Sequence, residues 1–190
     1  MFDFSYFPVL NTGRLILNEI SNDDIPALYA LFSDPEVTRY NDVNTFTSED
    51  DARWVLRFLR QRFGERGGVR WAIRLRSHPH TLIGTAGYNV WTRHNFCCEL
   101  GYDLMRSHWR RGYMTEAVQE IIRFGFREMA VNRVEANVMV GNYASARVLQ
   151  KLGFTEEGVM RQRGCWKGSF HDLRLFSLLR SEYNQLEYAG

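Results

Sequence analysis

The chain has 190 residues, 24 Lys+Arg against 22 Asp+Glu, a net charge of +2 and 45% hydrophobic residues. That length suits one domain, which buries about 70% of its unfolded surface without disulfide or metal staples. A balanced charge does not suit a dedicated nucleic-acid binder, and no apolar run approaches the roughly 18 residues of a membrane span. The basic residues comprise 22 Arg and only 2 Lys, Lys151 and Lys167. This skew reads first as composition, although Arg also forks onto phosphates.

Three cysteines, Cys97, Cys98 and Cys165, form neither a disulfide framework nor a CxxC zinc spacing. No His, Cys, Asp or Glu arrangement has ligand spacing, so no metal is expected. Met1 to Leu10 lacks the basic start and apolar run of a signal peptide. The expectation is a soluble, reduced, cytoplasmic protein that contacts neither membrane nor nucleic acid directly.

In chain order, Leu15-Ile16-Leu17 reads as a first strand. Ile25, Ala27, Leu28 and Leu31 predict a helix over Asp23–Phe32, capped by Asn22 or Asp23. Thr47-Ser48-Glu49-Asp50 resembles a capping box, and Ala52, Val55, Phe58, Leu59 and Phe63 place a second helix over Ser48–Phe63. Strands follow at Val69–Leu75, Leu82–Val90 and Phe96–Leu104, with Ser77–His80 as the turn between the first two. The strongest helix runs from Tyr113 to about Met129, with Met114, Ala117, Val118, Ile121, Ile122 and Gly125 on one face. A strand at Arg133–Met139, a helix at Tyr143–Leu152 stopped by Gly153, and strands at Thr155–Gly164 and Asp172–Leu179 complete the order. Trp54, Trp91, Trp166 and Phe170 read as core or as walls of a binding site. Strands in runs interleaved with helices predict an α/β domain with a mixed sheet.

One junction carries chemistry. The strand Cys98-Glu99-Leu100-Gly101-Tyr102-Asp103-Leu104 leads to Trp109-Arg110-Arg111-Gly112-Tyr113-Met114-Thr115, which opens the strongest helix. A helix N-terminus offers unpaired amides and partial positive charge, so it receives phosphate well. Gly112 permits close backbone approach, and Arg110 and Arg111 add charge. Neither G-x-x-x-x-G-K-[ST] nor G-x-G-x-x-G is present.

His108-Trp109-Arg110-Arg111-Gly112-Tyr113-Met114-Thr115-Glu116-Ala117, preceded by Glu99-Leu100-Gly101-Tyr102, resembles the acetyl-CoA loop of the GNAT N-acetyltransferases. Asn142-Tyr143-Ala144-Ser145-Ala146-Arg147-Val148-Leu149-Gln150-Lys151-Leu152-Gly153-Phe154 matches that family's next element. The nearest branch holds the ribosomal-protein N-terminal (alanine/serine) acetyltransferases, and the likeness spans about Thr12 to Leu179. It implies one GNAT-type domain over residues 1–190, core about 12–180. Its mixed, mostly antiparallel sheet would have about seven strands, with four helices. Departures are Trp109 for Gln or Arg, Arg110 for Gly, Met114 for Gly or Ala, and Leu149 where many members carry a Tyr acid.

The resemblance implies that acetyl passes from acetyl-CoA to an amine by direct attack. An alkylammonium titrates near about 10 and must first lose a proton. Glu99 matches the family's general base, and Ser145 the residue that protonates the departing thiolate. Backbone amides of Tyr102, Asp103 and Leu104 would polarise the thioester carbonyl. Arg110, Arg111, Gly112, Tyr113, Met114 and Thr115 would hold the pyrophosphate, with Arg147 nearby. Asn142 would hold the pantetheine arm or cap its helix. The implied acceptor is a protein N-terminal α-amine, of a ribosomal or other protein. Small amines (polyamine, amino acid, aminosugar, antibiotic) and an acyl-CoA-binding module that transfers nothing are the alternatives. A homodimer is compatible with all three.

Overall fold

Eight strands build one mixed sheet in the order β1-β2-β3-β4-β5-β6-β8-β7. They are β1 (Leu10–Asn11), β2 (Leu15–Asn18), β3 (Val69–Leu75), β4 (His78–Thr92), β5 (Cys97–Leu104), β6 (Arg133–Met139), β7 (Thr155–Trp166) and β8 (Ser169–Leu179). Six α-helices join them: α1 (Ile25–Phe32), α2 (Pro35–Thr38), α3 (Glu49–Gly64), α4 (Tyr113–Glu128), α5 (Tyr143–Lys151) and α6 (Arg180–Tyr188). This computed structural model describes residues 2–188. Met1, Ala189 and Gly190, within the expected domain limits, lie outside the described residues. Every pairing is antiparallel except β5 with β6.

The strand and helix counts exceed the expected seven and four because short elements carry no periodicity. β1 has 2 residues, and α2 is one turn of 4, capped by Asp34 with Pro35 behind it. At α1 the cap also moves. Ser21, not Asn22 or Asp23, starts a 3₁₀ turn in a capping box with Asp24, and the α-helix begins at Ile25. The capping box at α3 forms between Ser48 and Asp51, whose Oδ2 accepts from Thr47 N (2.8 Å) and Ser48 N (3.1 Å). The predicted turn Ser77–His80 is tighter than expected: β4 already starts at His78, leaving Arg76-Ser77 as a two-residue hairpin turn.

Both faces of the sheet are covered, which is why its central strands are apolar on both sides. On one face α4 and α5 pack Met114, Ala117, Val118, Ile121, Ile122, Ala146 and Leu149 against Trp71, Ile73, Leu100 and Phe176. On the other, Leu28, Leu31 and Phe32 of α1 and Ala52 and Leu56 of α3 meet Ala72 and Leu82. Of the four aromatics read as core or site walls, Trp91 is buried, whereas Trp54 and Phe170 stand 59% and 67% exposed. Trp54 instead stacks on Phe58 along the outer side of α3. Among the described residues, no helix is long and apolar enough to cross a membrane.

Candidate active site

The strongest helix and its preceding strand meet where the sheet comes apart. β5 and β6 pair at only three positions: Cys97 with Arg133, Cys98 with Val134 and Glu99 with Glu135. Beyond Glu99, β5 follows β4 through Leu104, while β6 follows β8 through Met139. A wedge-shaped seam therefore opens immediately after Glu99, edged by strand backbone without a partner across it. Such amides are the kind a thioester carbonyl could use. Successive amides of a strand point to opposite edges, so those of Tyr102, Asp103 and Leu104 cannot all face this opening.

Alternation along β5 puts different side chains on its two faces. Glu99, Gly101 and Asp103 share one. There Arg70 of β3 reaches across β4 to Asp103 in a largely buried ion pair, donating also to Thr85 Oγ1 (3.0 Å) and Asn89 Oδ1 (2.7 Å). Asn41 donates to the other Asp103 oxygen at 2.5 Å. Gly101 leaves room for this network: a Cβ would lie 2.3 Å from Asn89 Nδ2 and 3.1 Å from Arg70 Nη1, so these side chains would have to shift. The Asp103 side chain is thus committed to this network, and only its backbone is available to a cosubstrate. Burial raises the Asp103 carboxyl even against the charge of Arg70. Glu99, half-buried at the mouth of the seam, is also raised, chiefly by burial and further by Glu135 and Asp42; a hydrogen bond with Asn137 opposes this. A carboxylate raised in this way is a better proton acceptor.

Cys98, Leu100, Tyr102 and Leu104 occupy the opposite face, toward α4 and α5. Tyr102 Oη lies 2.8 Å from Ser145 Oγ on the first turn of α5. Asn142 is the N-cap of that helix, its Oδ1 accepting from Ser145 N at 3.2 Å. Leu149 is fully buried in the main core and offers no proton. Arg147 is exposed beside a cleft of about 410 Å³ between α5 and the β7–β8 ribbon, with Tyr143, Gln150 and Arg174 also lining it. Burial pushes the Cys97 thiol up to about 11, and the Cys98 thiol higher still, so neither is a ready nucleophile.

The loop into α4 closes one end of the seam. Trp109 anchors it, Nε1 donating to the Leu104 carbonyl at 2.7 Å. Gly112, the N-cap residue, has φ +77°. Arg110 has φ +60°, which explains why a glycine is the easier residue there. No side chain caps α4, so the first-turn amides of Tyr113, Met114 and Thr115 are available to an anion. Met114 offers only its amide, because its side chain is buried in the core.

Two residues supporting this loop escaped the sequence reading. Glu116, in the first turn of α4, accepts from Thr12 Oγ1 (2.6 Å), Arg14 N (2.8 Å) and Arg14 Nε (2.6 Å). Arg14 also donates to the Arg111 carbonyl at 3.0 Å. Burial opposes ionisation of Glu116, but these hydrogen bonds hold its carboxyl below the ordinary range. Its charge beside an anion site is therefore offset by Arg14. Nothing local signals the pairing, since the partners lie 102 residues apart. Among the described residues no group of three His, Cys, Asp or Glu side chains could hold a metal ion.

The opened seam lies beside a helix N-terminus with no side-chain cap, an arrangement that could receive a phosphate-bearing acyl donor. Residues 14–155 match the acetyltransferase (GNAT) domain family. Over 174 residues the chain is 35% identical to the uncharacterised N-acetyltransferase YoaA of Bacillus subtilis (strain 168), covering 92% of this chain and 98% of that one. It is 31% identical over 103 residues to the [ribosomal protein uS5]-alanine N-acetyltransferase of Escherichia coli (strain K12), about half of each chain (54% and 53%). RimL, the ribosomal L7/L12 α-N-protein acetyltransferase solved with coenzyme A, superposes with a TM-score of 0.82 at 21% identity, covering 90% of this chain and 98% of that one. The chain belongs to the GNAT acetyltransferase family. It is an acetyl-CoA-dependent N-acetyltransferase.

Proposed function

We propose that this enzyme acetylates a protein N-terminal α-amine in the cytoplasm, by direct attack on acetyl-CoA. The observation that carries the chemical part is the seam opening at Glu99. A proton acceptor, Glu99, stands on one face of β5 and a hydroxyl, Ser145 of α5, on the other, beside the strand edge where the β5–β6 pairing ends. In this reading Glu99 takes the proton from the amine, directly or through a water. Amides edging the seam polarise the carbonyl, and Ser145 serves the departing sulfur. The first-turn amides of α4, with Arg110 and Arg111, hold the pyrophosphate; Asn142 and Arg147 lie along α5 toward the rest of the cosubstrate. The acceptor assignment is supported by the relatives whose names specify ribosomal-protein amines.

A panel of peptide N-termini and small amines, followed by thiol release from acetyl-CoA, tests it. Turnover is expected on peptides and blocked when the α-amine is capped. Turnover confined to polyamines, aminosugars or lysine side chains overturns the acceptor. Coenzyme binding without thiol release from any amine would overturn the transferase assignment of the site.

A further inference from the structure

We propose that Tyr102 is a positioning residue that aims the Ser145 hydroxyl at the leaving sulfur; this rests on the reading of Ser145 above. The phenol oxygen lies 2.8 Å from Ser145 Oγ and 3.3 Å from the Ser145 carbonyl oxygen. Either hydroxyl can donate along the 2.8 Å contact; in the proposed arrangement the single phenol proton lies on this shorter contact to Ser145 Oγ rather than on the carbonyl. Donation from Tyr102 leaves the proton of Ser145 unspent. Among the described residues the Ser145 hydroxyl has no other hydrogen-bond partner, and its backbone N–H is held by Asn142 at 3.2 Å. The result is a hydroxyl fixed from behind with its own proton free.

Relative acidity decides what this pair does. A thiol ionises near about 8.5 and a phenol near about 10, and burial raises Tyr102 above its ordinary value. Being the weaker acid, Tyr102 does not surrender its proton to a thiolate through Ser145. What the pair supplies is a charge-assisted hydrogen bond to developing negative charge. The balance then closes simply. The ammonium first passes one proton through Glu99 to water; the neutral nitrogen then forms the C–N bond, the C–S bond breaks with its electron pair staying on sulfur, and the second nitrogen proton passes to Glu99. Ser145 keeps its proton while donating the hydrogen bond. The thiolate draws a proton from water on departure, and Glu99 returns one. A phenol from strand β5 thus supports the hydroxyl end of the site, in a chain whose position 149 is a buried Leu.

The test reads the thiol of coenzyme A bound to the protein, by titrating its thiolate absorbance in the ultraviolet. Hydrogen bonding to the thiolate favours ionisation. Ser145→Ala should weaken the thiol's ionisation constant by about tenfold, the effect of one hydrogen bond to a charged group. Tyr102→Phe should lower it in the same direction, and the double variant should fall no further than Ser145→Ala alone. In turnover, both should lower kcat and leave KM for acetyl-CoA nearly unchanged. Replacing Tyr102 with 3-fluorotyrosine, nearly the same shape but a stronger donor, should strengthen ionisation; this decides the matter if the Phe variant fails to fold. A Tyr102→Phe or fluorotyrosine protein titrating like the parent, while Ser145→Ala shifts the thiol, overturns the role of Tyr102 and leaves that of Ser145 standing. If neither position moves the thiol, Ser145 does not meet the sulfur and both assignments fall.

Discussion

The two faces of β5 differ in kind. One carries charge: Glu99 is raised by burial, and Asp103 is tied to Arg70, Asn41 and, through Arg70, to Thr85 and Asn89. The other is neutral, with Tyr102 and Ser145 joined hydroxyl to hydroxyl among apolar neighbours. Amide formation needs a proton removed from nitrogen and negative charge accommodated at sulfur. On the roles proposed for Glu99 and Ser145, those tasks fall on opposite faces, which keeps the carboxylate away from the departing thiolate, where like charges would repel. The comparison teaches that the seam is more than a slot for a cosubstrate: it opens at the edge of a strand that separates two different environments.

The largest expected effect lies on the charged face. Glu99→Gln should lower turnover by about 10²-fold or more while leaving coenzyme binding nearly intact. Parental activity should fall as pH drops through the raised Glu99 value, because the base must be ionised; the variant should lack that limb. Stability moves the other way. A carboxyl raised in the fold above its ordinary 4.5 contributes fully below that value, and its contribution is lost as pH rises through the folded value. At neutral pH, Glu99→Gln should therefore melt at the same temperature as the parent or higher. Unchanged turnover would remove Glu99 from the mechanism.

Arg70→Met probes the same face as scaffolding. The Arg70 and Asp103 side chains are 11% and 10% exposed, and removing one partner strands the other. A loss of about 3 kcal/mol is expected by urea denaturation. A loss well under 1 kcal/mol would mean that the charged face does not stiffen β5. The smallest effect belongs to the loop that closes the seam. Arg110→Gly relieves a left-handed φ of +60° and should stabilise the fold by about 1 kcal/mol. It should also weaken coenzyme binding, measured by calorimetry, through loss of one charge near phosphate. An unchanged affinity would take Arg110 out of the phosphate site.

What was legible in sequence follows from the range of the forces involved. Helix α4 announced itself because six apolar residues, Met114 to Gly125, repeat at its period, and each is buried. Helix α5 was also legible, and Asn142, read as a pantetheine contact or a cap, is its N-cap. Glu99 and Ser145 were reached through motif likeness, which identified them without showing that β5 stands between them. The Arg70–Asp103 pair spans 33 residues, Tyr102–Ser145 spans 43 and Arg14–Glu116 spans 102; none leaves a local pattern. β1 and α2 were missed because 2 and 4 residues are too few for a period to stand out.

By itself, then, the amino-acid order determined the class of fold, the long elements and the two segments that carry the family's chemistry. Hydrophobic period and capping act between residues a few positions apart, and a linear reading captures them. Tertiary structure alone decided that β5 and β6 part after Glu99, that Asp103 is spent on Arg70, and that Ser145 is met by Tyr102. Those outcomes depend on strand divergence and on contacts between distant segments, which the chain makes only once the sheet has assembled.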